Sequence, residues 1–160
     1  AEAMAGPSRR GILALAAAIA AVPAVVLAEE NGPLAFLTSI YGQYGPGLGG
    51  VPLGDAAALL LWFSPALAAL IQADRDAAAK VDEVPMLDGD PFIDAQDGDI
   101  TDVQVSVGQV GGGKAVGHVS FRNTGEPRTI ELDLIETAAG WRIDDIHWDN
   151  EASLRGLYTH

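Results

Sequence analysis

Apolar side chains recur at helical spacing through the first half of the chain. Pro33 suits the first turn of a helix, because proline lacks the amide hydrogen that this turn leaves unbonded. The stripe that predicts this first helix consists of Leu34, Leu37, Ile40, Tyr41 and Tyr44. Asp55 is a predicted N-cap for a short second helix. Ser64 followed by Pro65 predicts the start of a third helix that ends near Lys80.

Residues 59–63 (Leu-Leu-Leu-Trp-Phe) are apolar around the whole circumference of the predicted second helix. A helix with no polar face is typical of a buried position. We therefore expect this segment to lie at a junction between helix and sheet.

The second half of the chain alternates apolar and polar residues with the period of β-strands. The residues that share one face within each of the first three strands are Val103, Val105, Val107; Val119, Phe121; and Ile130, Leu132, Leu134. Glycine-containing turns separate these strands and precede a fourth strand over residues 141–148. In this fourth strand Ile143 and Ile146 are three positions apart, which breaks the alternation and predicts a β-bulge near Asp144 and Asp145.

This order of elements predicts one α+β domain over residues 29–160. N-terminal helices pack on a curved four-stranded antiparallel meander sheet, and a short C-terminal helix folds back on it. An acidic connector over residues 82–102 joins the helical half to the stranded half. Dimerisation through the sheet is a further expectation, since glycine-rich turns protect a sheet edge poorly.

Residues 1–28 have the pattern of a secretory signal peptide, with cleavage after Ala28. Arg9 and Arg10 are the only basic residues of this segment, and residues 11–28 carry no charge. Ser8, Arg9 and Arg10 followed by apolar residues resemble a twin-arginine export signal, with general secretion and a retained anchor as alternatives. We expect a periplasmic or secreted protein that has no membrane contact once the leader is removed.

Composition excludes several classes of protein. The chain has no cysteine, which excludes disulfide scaffolds, thiolate metal sites and cysteine nucleophiles. It has 9 basic and 22 acidic residues and a net charge of −13, so it is a poor binder of nucleic acid or anionic membranes. The hydrophobic fraction of 49% is too high for an acidic disordered chain.

The acidic connector contains eight acidic residues and no basic one. Clustered carboxylates suit Ca²⁺, and the candidate ligands are Asp88, Asp90, Asp94 and Asp97. The EF-hand spacing is absent, because Ile93 stands where that loop requires glycine. Aspartates are also ordinary turn residues, and one or two could pair with Arg128 or Arg142. A third interpretation is contact with a partner or substrate, for which the candidates are Asp90, Asp94, Gln96 and Asp97.

The fourth strand supplies the remaining candidates. Asp144 and Asp145 are neighbours and point to opposite faces of a regular strand, so they do not form a convergent acid–base pair. His147 shares a face with Asp145 and could pair with it. Trp141 and Arg142 complete the candidate ligand or interaction residues of this strand. An ion pair of either aspartate with Arg142 or Arg122 is the structural alternative to a general-base role.

Several short segments together resemble a bacterial secreted family catalogued as domain of unknown function 3828. They are residues 63–67 (Phe-Ser-Pro-Ala-Leu), 88–92 (Asp-Gly-Asp-Pro-Phe), 96–97 (Gln-Asp) and 140–146 (Gly-Trp-Arg-Ile-Asp-Asp-Ile). The resemblance covers most of residues 34–158. It implies an architecture similar to cystatin-like and nuclear-transport-factor-2-like domains, in which a bent sheet cradles a helix. The family name implies no activity.

These observations favour a non-catalytic exported module that binds an unidentified protein or small ligand in a cleft between the first helix and the sheet. No catalytic residue is assigned. One alternative is a small-pocket enzyme that uses Asp144 or Asp145 as general base. Another is a module stabilised by Ca²⁺ at the acidic connector; apart from this ion, no cofactor is predicted.

Overall fold

Three helices precede a four-stranded sheet in the computed structural model, which describes residues 30–159. The predicted leader, including Arg9, Arg10 and Ala28, lies outside the described residues. The elements are α1 (Pro33–Tyr41), α2 (Ala56–Trp62), α3 (Pro65–Val81), β1 (Ile100–Gly111), β2 (Lys114–Asn123), β3 (Glu126–Thr137), β4 (Gly140–His147) and a short 3₁₀ helix (Arg155–Tyr158). The predicted α+β class is confirmed.

The helices begin where the capping residues predict. Asp55 Oδ1 accepts a hydrogen bond from the Ala58 amide at 2.8 Å, at the start of α2. Ser64 Oγ accepts one from the Leu67 amide at 3.2 Å, at the start of α3. Each cap satisfies an amide that the first helical turn leaves without a partner.

The sheet is an antiparallel meander with the strand order β1-β2-β3-β4. The helices cover one face, and the opposite face, here called the open face, carries mostly polar side chains. One cross-strand row on the open face runs from Ser106 through His118 and Glu131 to His147. This segregation of apolar and polar faces is the one that the alternating sequence predicts.

The predicted β-bulge lies at Asp144. Asp133 pairs with Asp145 while the next residue, Leu134, pairs with Ile143, so Asp144 is the extra residue. A bulge reverses the alternation beyond it. As a result both Ile143 and Ile146 are fully buried in the core.

The core lies between the helices and the sheet. Its centre contains Phe63 and Phe92, whose rings stack at 5.6 Å with an interplanar angle of 5°. The helix α1 crosses β2 at Gly117, where a Cβ atom would overlap the buried Leu37 side chain. A residue without a side chain is therefore required there for the close approach of α1 to the sheet.

Two local features differ from expectation. Leu60 and Leu61 are 49% and 57% exposed, so only part of the apolar segment 59–63 is buried. The acidic connector ends at Asp99, because β1 already begins at Ile100. No helix within residues 30–159 is long and apolar enough to cross a bilayer.

Candidate functional site

A cavity of about 370 Å³ lies between the acidic connector and the C-terminal segment. We call it the acidic pocket. The residues that characterise its lining are Asp88, Asp90, Asp94, Gln96, Trp148 and Leu157. No lysine or arginine lines it, so its polar wall is formed by carboxylates and amides. Its lining is part apolar and part polar, as in many sites that bind small ligands or side chains.

Asp90 is the carboxylate that the fold fixes most firmly in this pocket. Its Oδ2 accepts a hydrogen bond from the Tyr44 hydroxyl at 2.5 Å, and its Oδ1 accepts one from the Phe92 amide at 2.9 Å. The Tyr44 hydroxyl also accepts a bond from the Val51 amide at 3.3 Å. Within residues 30–159, Asp90 forms no ion pair with a basic side chain.

Burial dominates the electrostatics of Asp90 and Tyr44. Removal from water raises the pKa of the Asp90 carboxyl, and the bonds from Tyr44 and the Phe92 amide oppose this rise. Burial and the nearby Asp90 charge also raise the pKa of Tyr44, so Tyr44 stays protonated and donates. Asp90 is therefore a largely buried carboxylate stabilised by neutral donors alone.

The other walls of the acidic pocket are also held by hydrogen bonds. Trp148 Nε1 donates to the Pro91 carbonyl at 2.9 Å. Gln96 Nε2 donates to Asp88 Oδ2 at 3.1 Å and to the Asp88 carbonyl at 3.2 Å. These bonds fix the indole against the connector and tie the two sides of the connector loop together.

Asp94 lies at the exposed rim of the pocket. Partial burial raises the pKa of its carboxyl; Arg128 opposes the rise and Asp149 adds to it. Its backbone has a positive φ of 50°, a conformation that aspartate tolerates better than most residues. Asp82 has a similar φ of 56° and forms the C-cap of α3, so part of the acidic character of the connector reflects helix termination and turn formation.

The four predicted Ca²⁺ ligands do not converge. Asp97 is exposed and lies outside the pocket lining, while Asp88 and Asp90 bond to Gln96 and Tyr44. A Ca²⁺ site in the connector stays a prediction. The described part of the chain contains one group of three potential metal ligands within 4.8 Å of one another, formed by Asp133, Asp145 and His147.

Asp144 has a different ion-pair partner from the two that the sequence suggests. Its Oδ1 accepts hydrogen bonds from Arg155 Nη2 at 2.6 Å and from the Ser64 hydroxyl at 2.7 Å. The expected partner Arg142 instead donates through Nε to the Leu60 carbonyl at 2.9 Å. The other expected partner, Arg122, lies 3.7 Å from Asp102. The carboxylate of Asp144 therefore ties β4 to both the N-terminus of α3 and the C-terminal 3₁₀ helix.

The predicted cleft between the first helix and the sheet corresponds to a smaller cavity of about 270 Å³. Trp141 and Arg142 line it from β4, and Phe36 and Ser39 line it from α1. None of these residues lines the acidic pocket. Candidate residues of the connector and of the fourth strand therefore line two separate cavities.

His147 and Asp145 share the open face, as the sequence predicts. The nearest carboxylate to His147 is Asp133, whose Oδ2 lies 2.8 Å from Nε2; Asp145 Oδ2 lies at 3.8 Å. Partial burial lowers the pKa of His147, but the bond to Asp133 and the charges of Asp145 and Glu131 outweigh it and raise the pKa. Sequence reasoning missed Asp133, although its register opposite Asp145 follows from the meander and the bulge.

The fold defines the class of the protein as a small α+β domain, with three helices on one face of an antiparallel meander sheet. No known protein-family profile matches the chain, and no curated protein matches it.

Two solved structures resemble the chain. One is a chain from the type VI effector–immunity complex Tae3–Tai3 of Ralstonia pickettii, 21% identical with a TM-score of 0.47, over 74% of this chain and 96% of that one. The other is a phospholipid-binding protein of Ralstonia solanacearum in complex with a phospholipid, 17% identical with a TM-score of 0.32, over 59% and 49% of the two chains. At this degree of similarity neither structure assigns a function to the chain.

Proposed function

We propose that the protein is a non-catalytic binding module that receives a positively charged group of its partner in the acidic pocket. The observation that carries this proposal is Asp90, a largely buried carboxylate with neutral hydrogen-bond donors and no basic partner among the described residues. A buried charge without an opposite charge is costly. A guanidinium or ammonium group in the cavity would supply the missing charge.

The surroundings of Asp90 suit a cation that is carried on an apolar stem. Asp88 and Asp94 add negative charge at the rim, and Trp148 and Leu157 offer apolar surface for methylene groups. The indole face of Trp148 would also attract a cation directly. An arginine or lysine side chain of a protein partner combines these features.

The charge of the whole chain supports the same kind of partner. A net charge of −13 produces a negative potential that attracts basic molecules and repels acidic ones. Association with a basic partner should therefore be accelerated at low ionic strength, while the acidic pocket supplies the specific contact.

The contacts of Asp144 and Asp145 favour binding over the general-base alternative. Asp144 is engaged by Arg155 and Ser64, so proton transfer to it would disrupt an ion pair. Asp145 Oδ1 accepts hydrogen bonds from the Ile146 and Arg155 amides, so this oxygen is already engaged by the backbone and does not face a substrate.

An NMR titration of the ¹⁵N-labelled chain tests the proposal. The probe is N-acetylarginine amide, and the control ligand is N-acetylcitrulline amide, which has nearly the same shape without the charge. We expect shifts of the Trp148 indole and Gln96 side-chain signals with the arginine compound alone. Since a neutral isostere cannot neutralise Asp90, equal shifts with both ligands would contradict the proposal.

Three matched variants locate the site. Asp90→Asn and Asp88→Asn alter carboxylates of the pocket, whereas Asp97→Asn removes the same charge from an exposed residue outside its lining. We expect Asp90→Asn to weaken binding by about tenfold and Asp88→Asn to weaken it less, since exposed charge pairs contribute little. If Asp97→Asn weakens binding as much as Asp90→Asn, general charge attraction explains the result and the pocket does not.

Export to the periplasm or the cell exterior is a second part of this proposal, and it rests on residues 8–28 alone. Replacement of Arg9 and Arg10 by lysine tests the twin-arginine route, because that route recognises the arginine pair. We expect the full chain to accumulate in the cytoplasm when both arginines are replaced. Export at the original level would favour general secretion.

Self-association through the sheet stays a prediction of the sequence. Light scattering of the purified chain over a range of concentrations measures its mass directly. A monomeric mass at every concentration would contradict dimerisation.

A further inference from the structure

The open face of the sheet gathers a histidine and two carboxylates on neighbouring strands. Asp133 on β3 stands opposite Asp145 on β4, and Glu131 stands opposite His147. The bulge at Asp144 leaves Asp145 and His147 on the open face while Ile146 between them enters the core. The strand register therefore places three potential ligands side by side without any loop.

The distances within this group fit a small metal ion. His147 Nε2 lies 2.8 Å from Asp133 Oδ2 and 3.8 Å from Asp145 Oδ2, and all three ligand atoms lie within 4.8 Å of one another. Ligands at about 2.1 Å from a tetrahedral Zn²⁺ ion lie about 3.4 Å apart. The two observed separations lie on either side of this value, so small movements of the three side chains would bring their ligand atoms to tetrahedral positions around the ion.

Backbone hydrogen bonds orient the Asp145 carboxylate toward His147. The residue is only 9% exposed, and its Oδ1 accepts hydrogen bonds from the Ile146 amide at 2.8 Å and the Arg155 amide at 2.9 Å. Its Oδ2 makes no hydrogen bond within the described part of the chain and lies toward His147. Fixing one carboxylate oxygen by backbone amides orients the other, as the outer shell of metal sites commonly does.

The charges of the group are unbalanced. Across residues 30–159, neither Asp133 nor Asp145 forms an ion pair with lysine or arginine. Glu131 adds a further negative charge beside His147, and the guanidinium of Arg155 is bound to Asp144 instead. Carboxylates this close repel one another, and a divalent cation between them would remove the repulsion.

We propose that Asp133, Asp145 and His147 form a binding site for a first-row transition-metal ion such as Zn²⁺. An imidazole nitrogen with two carboxylate oxygens suits Zn²⁺ and its neighbours, whereas Ca²⁺ and Mg²⁺ prefer oxygen ligands alone. The side chains of His147 and Asp133 are 42% and 45% exposed, so a fourth position stays open to water or to a ligand from a partner. None of the three residues lines the acidic pocket, and the site is independent of the proposed function.

Titration calorimetry of the EDTA-treated and desalted full chain with ZnCl₂ tests this site. The variants His147→Gln and Asp133→Asn remove ligands with little change of shape. Because His118 and His160 are the chain's other histidines, the double variant His118→Gln, His160→Gln is the matched control. We expect one Zn²⁺ per chain and a Kd unchanged in the control. In each ligand variant the Kd should rise at least about 100-fold, the upper end of the loss caused by removing an outer-shell partner.

Thermal unfolding supplies a second measurement that does not depend on heats of binding. Zn²⁺ should raise the Tm of the chain and of the control variant by several degrees and raise that of His147→Gln much less, since the stabilisation by a bound ion grows with the logarithm of the ratio of its concentration to Kd. Equal shifts with Mg²⁺ at the same concentration would overturn the assignment. So would a Zn²⁺ affinity weaker than millimolar, or one that is lost in the control variant.

Discussion

The hydrogen bond between Tyr44 and Asp90 provides a quantitative test of the acidic pocket, through the variant Tyr44→Phe. This bond joins residues that are 46 positions apart, at 2.5 Å. The substitution leaves the ring in place and removes one hydroxyl. That hydroxyl donates to the partly buried Asp90 carboxylate and accepts from the buried Val51 amide, so two partners lose a bond.

The expected cost follows from the charge of the acceptor. A hydrogen bond to a charged group contributes about 1.5–3 kcal/mol to stability, and leaving a buried partner unsatisfied is the main source of the loss. For a domain of this size, 1 kcal/mol corresponds to roughly 3–5 °C in Tm. We therefore expect Tyr44→Phe to lower the Tm by on the order of 5–10 °C near neutral pH.

The cost should depend on pH in one direction. Burial raises the pKa of Asp90 in the folded state, so the stability linked to this group is greatest below its unfolded pKa and is lost as pH rises through its folded pKa. The Tyr44 bond opposes the rise, so Tyr44→Phe raises the folded pKa of Asp90 further. Between the folded pKa of Asp90 in the original chain and its folded pKa in the variant, the folded variant binds more protons than the folded original chain. The destabilisation caused by Tyr44→Phe therefore grows as pH rises through this range.

The matched control is Tyr158→Phe. The Tyr158 hydroxyl is buried and has no hydrogen-bond partner among the described residues, and burial raises its pKa to about 12. Removing an unpartnered buried hydroxyl should change the free energy of unfolding by less than about 0.5 kcal/mol, or stabilise the fold. Urea unfolding at several pH values between acid and neutral measures both variants.

Two results would refute this reasoning. If Tyr44→Phe costs no more than Tyr158→Phe, the hydroxyl of Tyr44 does not hold Asp90. If the cost of Tyr44→Phe is large but constant with pH, the loss comes from the Val51 amide or from packing, and Asp90 does not receive the bond as an ionised group.

Three further predictions test the fold. Gly117→Ala should cost about 1–3 kcal/mol in urea unfolding, since its Cβ overlaps Leu37; a double variant with Leu37→Ala should cost less than the sum of the two changes if the overlap is the cause. Phe63→Ala should cost about 3–5 kcal/mol and Leu61→Ala less than about 0.5 kcal/mol, although both lie in one apolar segment, and equal costs would contradict their different burial. Asp55→Ala should cost about 1 kcal/mol by removing a helix cap, and circular dichroism should show the local loss of helix.

The sheet follows from the sequence because each strand has one face against the core and one face toward solvent. Alternation then appears in every strand, and a break in it has a structural meaning. The spacing of Ile143 and Ile146 predicts the bulge for this reason, and the register at Asp144 confirms it. The capping residues Asp55 and Ser64 are equally local signals, and their hydrogen bonds lie within three residues.

The exposure of Leu60 and Leu61 is a feature that the local sequence pattern does not predict. A helix that is apolar on all sides predicts complete burial, yet the contacts available to α2 cover Leu59 and Phe63 and leave these two leucines half exposed. The partner of Asp144 is a similar case. Arg142 is nearby in sequence, but Arg155, from the segment that follows β4, takes the carboxylate because that segment folds back along the strand.

The acidic pocket required contacts that no local pattern contains. Tyr44 follows α1, Asp90 lies in the connector and Trp148 follows β4; the hydrogen bonds that join them span 46 and 57 positions. The sequence correctly marked the connector as unusual through its charge. The sequence does not distinguish the aspartates that form turns from Asp90, which bonds to Tyr44, because all of them lie in similar glycine- and proline-containing segments.

The position of Asp90 links the stability of the fold to the occupancy of the pocket. An ionised carboxylate that is largely buried among neutral donors lowers stability at neutral pH, which is what its raised pKa expresses. A cation bound beside it would lower that pKa again and recover the loss. Binding should therefore release protons when the pH lies near the pKa of Asp90, and the affinity for a basic group should increase as pH rises through it. A ligand that raises the Tm equally on both sides of this transition would be bound elsewhere on the molecule.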